Sequence, residues 1–303
     1  MALEYDIVIV GGGPAGLSAA SSIVRQGHRT VLFDSGKYRN ALTRHMHTVA
    51  GWDHQDPAAF RAKARADFER YGSVTVEDVE VETIKRREDG LFEATASGKT
   101  WTGRKVILAT GVEDVFPAIP GYGECWVSGI GQPSAGVLAE GGTNVPMALH
   151  FGRQVLRLAD QATIYTHGNT QLAKELEEAL AAGPAPMTVE PRKIIKLVKE
   201  PEGSKVTLHF EDGSSKTEAF VAHKPKPALR GNLHKQLGMD ISPAGTIVVN
   251  PPFNQTGIQG VFAAGDCASP MHTVTHALHS GTCAGVSAPL QVQAEIWHQK
   301  SLV

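Results

Sequence analysis

The sequence has little cysteine. Three in 303 residues, Cys125, Cys267 and Cys283, are too few and too scattered for a disulfide framework or a four-ligand zinc site, so no metal is expected and a reduced, intracellular setting is. An excess of either charge is missing as well. With 29 basic against 31 acidic side chains the formal net charge is -2, which gives no broad electropositive surface, and no nucleic-acid partner is expected. No apolar run approaches the roughly 18 residues that a membrane span needs. The opening residues, Met1 to Asp6, carry two acids and no basic flank, unlike a secretory or transit leader, so a cytoplasmic address is the expectation. What is present is 42% hydrophobic side chains in a chain long enough for about two domains, which excludes disorder as the main description.

Ile7-Val8-Ile9-Val10 is a short β-branched run of the kind buried on both faces of a parallel sheet. Glycines follow it, residues 15 to 27 read as a helix, and Thr30-Val31-Leu32-Phe33 is the next strand, so residues 5 to 34 form one βαβ unit. Runs at 75 to 83, 91 to 96 and 105 to 109 add strands, the last ending in Ala109-Thr110-Gly111. From Val115 to Pro133 glycine and proline interrupt every pattern, marking a boundary or a site-forming loop. A second βαβ pattern follows: strand 135 to 139, helix 145 to 159, strand 162 to 165 and helix 170 to 183. Strands near 193 to 199, 204 to 210 and 218 to 222 come next, and a polar connection from Pro225 to Gly238 leads to a last strand, Gly260 to Ala264. A long helix from about Thr273 closes the chain. The expected fold is α/β, with two Rossmann-like, three-layer dinucleotide-binding domains, the second (116–237) inserted in the first (1–115 and 238–303).

Gly11-Gly12-Gly13-Pro14-Ala15-Gly16 fits G-x-G-x-x-G directly between strand and helix. The first glycine permits the tight turn, the second lets a pyrophosphate approach the backbone, and the third lets helix and strand pack closely. Asp34 ends the second strand, where a carboxylate can accept hydrogen bonds from ribose hydroxyls. Ala109-Thr110-Gly111 and Gly260-Val261-Phe262-Ala263-Ala264-Gly265-Asp266 are two later segments that a plain NAD dehydrogenase does not need. Together these resemble the flavoproteins with two dinucleotide-binding domains, which implies FAD.

Within that group the chain resembles the low-molecular-weight thioredoxin reductases, and more closely their fungal relatives, the gliotoxin-type dithiol oxidases that close disulfides on diketopiperazine metabolites. The resemblance spans nearly the whole chain. It is carried by His45-Met46-His47, Trp52-Asp53-His54, Asp56 to Asp67, Phe151 to Leu158, Ile164 to Asn169 and Ala263 to Met271. It implies a homodimer and an FAD site at Gly11, Gly13, Pro14, Ala15, Gly16, Asp34, Asn40, His47, Val81, Ala109, Thr110, Gly111, Gly265, Asp266, His276 and Ala277. In the family the Gly-Asp carboxylate binds the ribityl or pyrophosphate region.

Two departures from the family pattern matter. Where the family has Cys-x-x-Cys this chain has Cys125-Trp126-Val127-Ser128. A serine hydroxyl forms no reducible sulfur bond, so the relay that passes substrate electrons through a cysteine pair is cut. Cys125 is then either a single thiol that forms a mixed disulfide with substrate or a small apolar side chain. Cys267, beside the Gly-Asp pair, and Cys283, inside a helix, read as packing residues, the alternative being that one of them replaces the lost partner. In the nicotinamide half, Glu140-Gly141-Gly142-Thr143-Asn144-Val145-Pro146 replaces a clean glycine fingerprint, and Thr166-His167-Gly168-Asn169 lacks the arginine pair that grips a 2′-phosphate. Electrons are therefore expected from the substrate and not from NADPH, with O₂ as acceptor.

His272, His276 and His279 stand at i, i+4 and i+7, a spacing that places them on one stripe of the closing helix. Imidazole is the natural general base for a thiol, and the bland alternative is that these side chains cap the helix or pack on a surface. His45, His47 and His54 have a structural reading as good as a catalytic one. The function expected is oxidation of a sulfur-containing small metabolite, forming or rearranging a disulfide by direct transfer to flavin. The competing readings are an FAD-dependent oxidase or cyclase of a non-thiol metabolite, and a catalytically silent flavoprotein that sequesters a metabolite.

Overall fold

Alternating βα punctuation selects a parallel sheet covered by helices. In the computed structural model, which describes residues 3–126, 134–201 and 203–303, the chain forms two compact units. One runs up to Glu113 and resumes at Pro227–Val303; the other is Asp114–Lys226.

In the first unit β1 (Leu3–Val10) and β2 (Thr30–Phe33) pair in parallel, and Ile7, Val8, Ile9, Val31 and Leu32 have no exposed surface. The joining helix α1 (Pro14–Val24) ends before the expected residue 27, because Gly27 turns the chain with φ of +73°. Next comes α2 (Pro57–Glu69), capped by Asp56, whose carboxylate accepts hydrogen bonds from the Ala58 and Ala59 amides. Its buried face is only Pro57, Arg61 and Phe68, too sparse to register as an apolar period. Then follow β3 (Val74–Glu77), β4 (Thr83–Arg86), β5 (Phe92–Ala96) and β6 (Lys99–Leu108). The order is β3-β2-β1-β6-β5-β4; β6 is long enough to pair antiparallel with β5 through its first half and parallel with β1 throughout.

The chain passes through β7 (Val112–Val115) and α3 (Tyr122–Cys125) into the second unit. There β8 (Ser134–Leu138), α4 (Val145–Val155), β9 (Gln161–Tyr165), α5 (Thr170–Ala182) and β10 (Met187–Glu190) repeat the βαβαβ pattern. A three-stranded antiparallel layer of β11 (Ile194–Lys199), β12 (Val206–Phe210) and β13 (Ser215–Glu218) covers one face, and β14 (Val221–Ala222) adds a fourth parallel strand in the order β10-β9-β8-β14. One buried cluster, including Val137, Ile164 and Leu176, lies under the helices, and another, including Tyr165, Leu208 and Phe210, under the antiparallel layer.

The stretch expected to be an irregular polar connection holds β15 (Lys226–Leu229) and the short α6 (Leu233–Gln236). Leu229, Leu233 and Leu237 pack into the first unit's core, so its fold resumes at Pro227. β16 (Val261–Ala263) joins the sheet beside the end of β6, and α7 (Val274–Ile296) closes the chain against α1. No described helix is long and apolar enough to cross a membrane.

Candidate functional site

Three of the four glycines after β1 are imposed by close packing. A Cβ on Gly11 would lie 2.2 Å from the Ala109 carbonyl oxygen, one on Gly12 2.0 Å from an Asp34 carboxylate oxygen, and one on Gly16 1.8 Å from the Gly11 carbonyl oxygen. Gly13 differs: a Cβ there meets nothing within 4 Å. It is the N-cap of α1 and offers no side chain to the helix, and Pro14, the first helical residue, has no N–H. The amides of Ala15 and Gly16 thus end the helix without a capping side chain, at its positive pole. A corner that is bare backbone, open and electropositive fits a pyrophosphate.

On one side of this corner stands Asp34, 3% exposed at the end of β2. Its carboxylate accepts hydrogen bonds from the Gly36 amide at 2.9 Å, the Tyr38 hydroxyl at 2.5 Å and the Arg65 guanidinium, which also holds Asp78 at 2.8 Å. Burial, reinforced by Asp34, pushes the Tyr38 phenol up to about 12. Arg61 lies over the Tyr38 ring, 3.7 Å from its centroid, and donates to the Asn40 side-chain oxygen at 3.2 Å. On the other side, Gly265 adopts φ of +77° and donates its amide to Ser280 Oγ at 2.9 Å, and Asp266 is paired with Arg39 at 3.1 Å. Ala109 closes onto β1 through its amide, Gly111 turns with φ of +66° into open space, and Thr110 between them is half-buried. Val81 is buried in the core of the first unit, Ala277 is buried on α7, and His47 lies on an exposed loop with Nδ1 3.3 Å from Asp53. His45 and His54 stack at 3.9 Å on the same loop.

α7 lies alongside α1 in the same direction, since Gly281 meets Ala15 and Gly285 meets Ala19. Two helix N-termini therefore point to one edge of the sheet. Thr273 caps α7 by accepting the His276 amide at 3.2 Å. This corrects the expected stripe: His272 precedes the cap, outside the helix, so only His276 and His279 share the helix, their rings 6.5 Å apart. His276 is half-buried and His279 exposed, with Nε2 3.7 Å from Cys283 Sγ. Cys267 is fully buried and its thiol donates to the Leu108 and Ala264 carbonyls. Among the described residues no group of three or more His, Cys, Asp or Glu side chains is arranged to hold a metal ion.

In the second unit Cys125 ends α3, half-buried against an apolar cluster, and burial pushes its thiol up, with Glu124 adding to the effect. Ser128 lies outside the described residues. Tyr122, in the same helix, is bonded at 2.6 Å to Nδ1 of His223, just after β14; the Phe116 ring packs tilted against it at 4.9 Å and Trp126 stacks on it at 5.8 Å. Burial brings His223 down to about 4.

The corner after β8 is built differently from the one after β1. α4 is capped by Asn144, whose side-chain oxygen takes the Met147 amide at 3.1 Å, and Pro146 removes another N–H. Glu140 stands in the preceding turn, and its charge is felt at Tyr122 and His167. His167 accepts the Ile194 amide on Nδ1 at 3.1 Å, and burial lowers its pKa. Arg192, after β10, is spent on Glu190 and Asp212 at 2.6 and 2.8 Å.

An open glycine-lined helix terminus flanked by two carboxylates, in a chain with a second βαβ unit, points to an oxidoreductase of the two-Rossmann-domain class. The sequence pattern of the pyridine nucleotide-disulphide oxidoreductases matches residues 5–281. The chain is 43% identical to the thioredoxin reductase tcpT of Claviceps purpurea, over 98% of this chain and 97% of that one, and 37% identical to the thioredoxin reductase sirT of Leptosphaeria maculans, over 95% and 94%. Among solved structures, an oxidoreductase from Agrobacterium tumefaciens superposes with a TM-score of 0.84 at 29% identity, over 97% of this chain and 99% of that one. The chain belongs to the pyridine nucleotide-disulphide oxidoreductase family, among its thioredoxin reductase-like flavoproteins of fungal gliotoxin type.

Tyr38, Arg39, Arg61 and Arg65 were not legible as site residues. Each is an ordinary surface residue type, and the partners of Arg39, Arg61 and Arg65 lie on other segments of the chain.

Proposed function

We propose that the first unit binds FAD, and that the protein uses it to oxidise two thiols of a small metabolite, forming or rearranging a disulfide bridge in a dithiol diketopiperazine, without NADPH and without a cysteine pair of its own. One observation carries this reading: α1 ends in bare amides beneath an open Gly13, whereas α4 spends its terminus on Asn144 beside Glu140. A chain with one helix terminus left as bare amides and the other taken by a side-chain cap beside a carboxylate is suited to hold a flavin and to take no electrons from a nicotinamide. Ser128 in place of the second cysteine points the same way.

FAD, when bound, supplies the two-electron acceptor that links substrate to O₂, so that two thiols and one O₂ give one S–S bond and one H₂O₂. The remaining tasks fall to side chains. Gly13, Ala15 and Gly16 would receive the pyrophosphate, Asp34 the ribose, and Asp266 the ribityl chain. The thiolate, not the thiol, is the reactive form. His276, in the first turn of α7, is the base that takes the substrate proton at an imidazole nitrogen, with His279 one turn on as its alternate. The parallel N-termini of α1 and α7 favour negative charge at the edge where they meet. Cys125, its thiol pushed up by burial, is poorly suited to accept the substrate as a mixed disulfide, which favours direct delivery to the flavin. The homodimer and the cytoplasmic setting belong to the same reading, carried over from the resemblance and the composition.

The test is aerobic turnover of a reduced dithiol diketopiperazine. Oxygen uptake, H₂O₂ and disulfide in equal amounts, unchanged by NADPH, are expected. Turnover that stops without NADPH would contradict the reading.

A further inference from the structure

The loop that follows β2 carries three consecutive side chains that reach in three directions. Tyr38 donates its hydroxyl to Asp34 at 2.5 Å, Arg39 pairs with Asp266 at 3.1 Å, and Asn40 accepts from Arg61 on α2 at 3.2 Å. Arg61 also covers the Tyr38 ring, and Arg65, one turn further along α2, holds the Asp34 carboxylate. The loop is thereby fastened to α2, to the end of β2 and to the turn after β16. Asp34 and Asp266 are 232 positions apart in sequence, yet two adjacent loop residues hold them.

Charge explains why such a fastening is useful. The groove contains two carboxylates, and a bound pyrophosphate adds about two more negative charges, against roughly half a positive charge from each helix terminus. Carboxylates facing an anionic ligand need counter-charges that stay in place, and Arg39 and Arg65 supply one to each. Guanidinium suits this role, because its planar fork holds a carboxylate while leaving further N–H groups for another acceptor.

We propose that Tyr38-Arg39-Asn40 is a strap that positions Asp34 and Asp266 as one unit, so that the adenosine end and the flavin end of the cofactor site are energetically coupled through Arg39. The proposal rests on the FAD reading above and adds residues to it. Arg39 and Tyr38 act here as positioning residues.

The experiment uses the full-length chain stripped of flavin and titrated with FAD, followed by flavin fluorescence. Wild type, Arg39→Ala, Arg39→Lys, Tyr38→Phe and the double variant Tyr38→Phe/Arg39→Ala are compared, with thermal unfolding as the control for fold. Arg39→Ala should weaken FAD by about tenfold or more at an unchanged unfolding temperature, and Arg39→Lys should recover part of the loss. The double variant should lose clearly less than the product of the two single losses, because cutting a strap once already frees both ends. If Arg39→Ala does not fold, the same comparison is made with Arg39→Lys and its double variant. FAD affinity within about twofold of wild type in the folded Arg39 variant, or losses that multiply, would overturn the strap. Wild-type protein that takes up no FAD would instead overturn the reading on which the strap rests.

Discussion

The Cα of Gly281 on α7 faces the carbonyl of Ala15 on α1 so closely that a Cβ would lie 2.1 Å from the oxygen. One turn on, a Cβ on Gly285 would lie 2.5 Å from the carbonyl oxygen of Ala19. Both obstacles are backbone, which cannot swing aside as a side chain can. Small residues on both helices are thus what lets the helices run side by side with their N-termini at the same edge. Gly281→Ala should force the helices apart and destabilise the first unit by about 3 kcal/mol, read from urea unfolding.

Gly13 should behave in the opposite way. Its φ of -77° and ψ of -177° are open to any residue, and a Cβ there meets no protein atom within 4 Å. Gly13→Ala should fold with stability within about 0.5 kcal/mol of wild type yet bind FAD about tenfold more weakly or worse, because the methyl group occupies the ligand's space. The pair separates a glycine needed by the fold from one needed by the cofactor.

The cysteines should differ in reactivity. Burial and Glu124 hold the Cys125 thiol above the ordinary cysteine range, and burial does the same at Cys283 and at the fully enclosed Cys267. Alkylation by iodoacetamide at pH 7.5 should therefore be slower at Cys125 than at a free cysteine peptide and should accelerate with pH. Cys267 should remain unmodified until the protein unfolds. Faster reaction at Cys125 than in the peptide would reinstate it as a substrate-accepting thiol.

His223 gives the second unit a pH dependence of defined sign. Burial lowers it from 6.5 to about 4, so between those values the unfolded chain binds a proton that the folded chain does not. Stability is complete above pH 6.5 and is lost as pH falls toward 4. Comparing urea unfolding of wild type and His223→Gln across that window should show a loss larger in the wild type by about 2 kcal/mol.

What the sequence made legible was local. Ile7 to Gly16 carried a strand, a turn and a helix start in consecutive residues, and Gly265-Asp266 came directly after an apolar strand, so these turns could be read from short segments. The chain order of βαβ units revealed the insertion of one unit in another. What escaped was of two kinds. α2 shows too few apolar positions for its period to stand out, and its value lies in Arg61 and Arg65, whose partners Asn40 and Asp34 lie far back in the chain. The histidine stripe included His272, whereas the Thr273 hydroxyl caps the helix and its first residue is Val274. A spacing rule carries no information about where a cap falls unless the capping residue is weighed with it.

His276 should prove the more important of the two histidines on α7, being half-buried in the first turn while His279 is exposed. His276→Ala should lower kcat/KM for a dithiol, per bound flavin, by about a hundredfold, and His279→Ala by less. Equal turnover in His276→Ala would remove it as the base.

The central claim, that substrate thiols and not NADPH reduce the flavin, is tested most directly by anaerobic mixing of the yellow protein with each reductant while following absorbance near the flavin maximum. Bleaching by a dithiol diketopiperazine, persisting in Cys125→Ser and absent with NADPH, is the expected result. Rapid bleaching by NADPH, or none by the dithiol, would contradict the account.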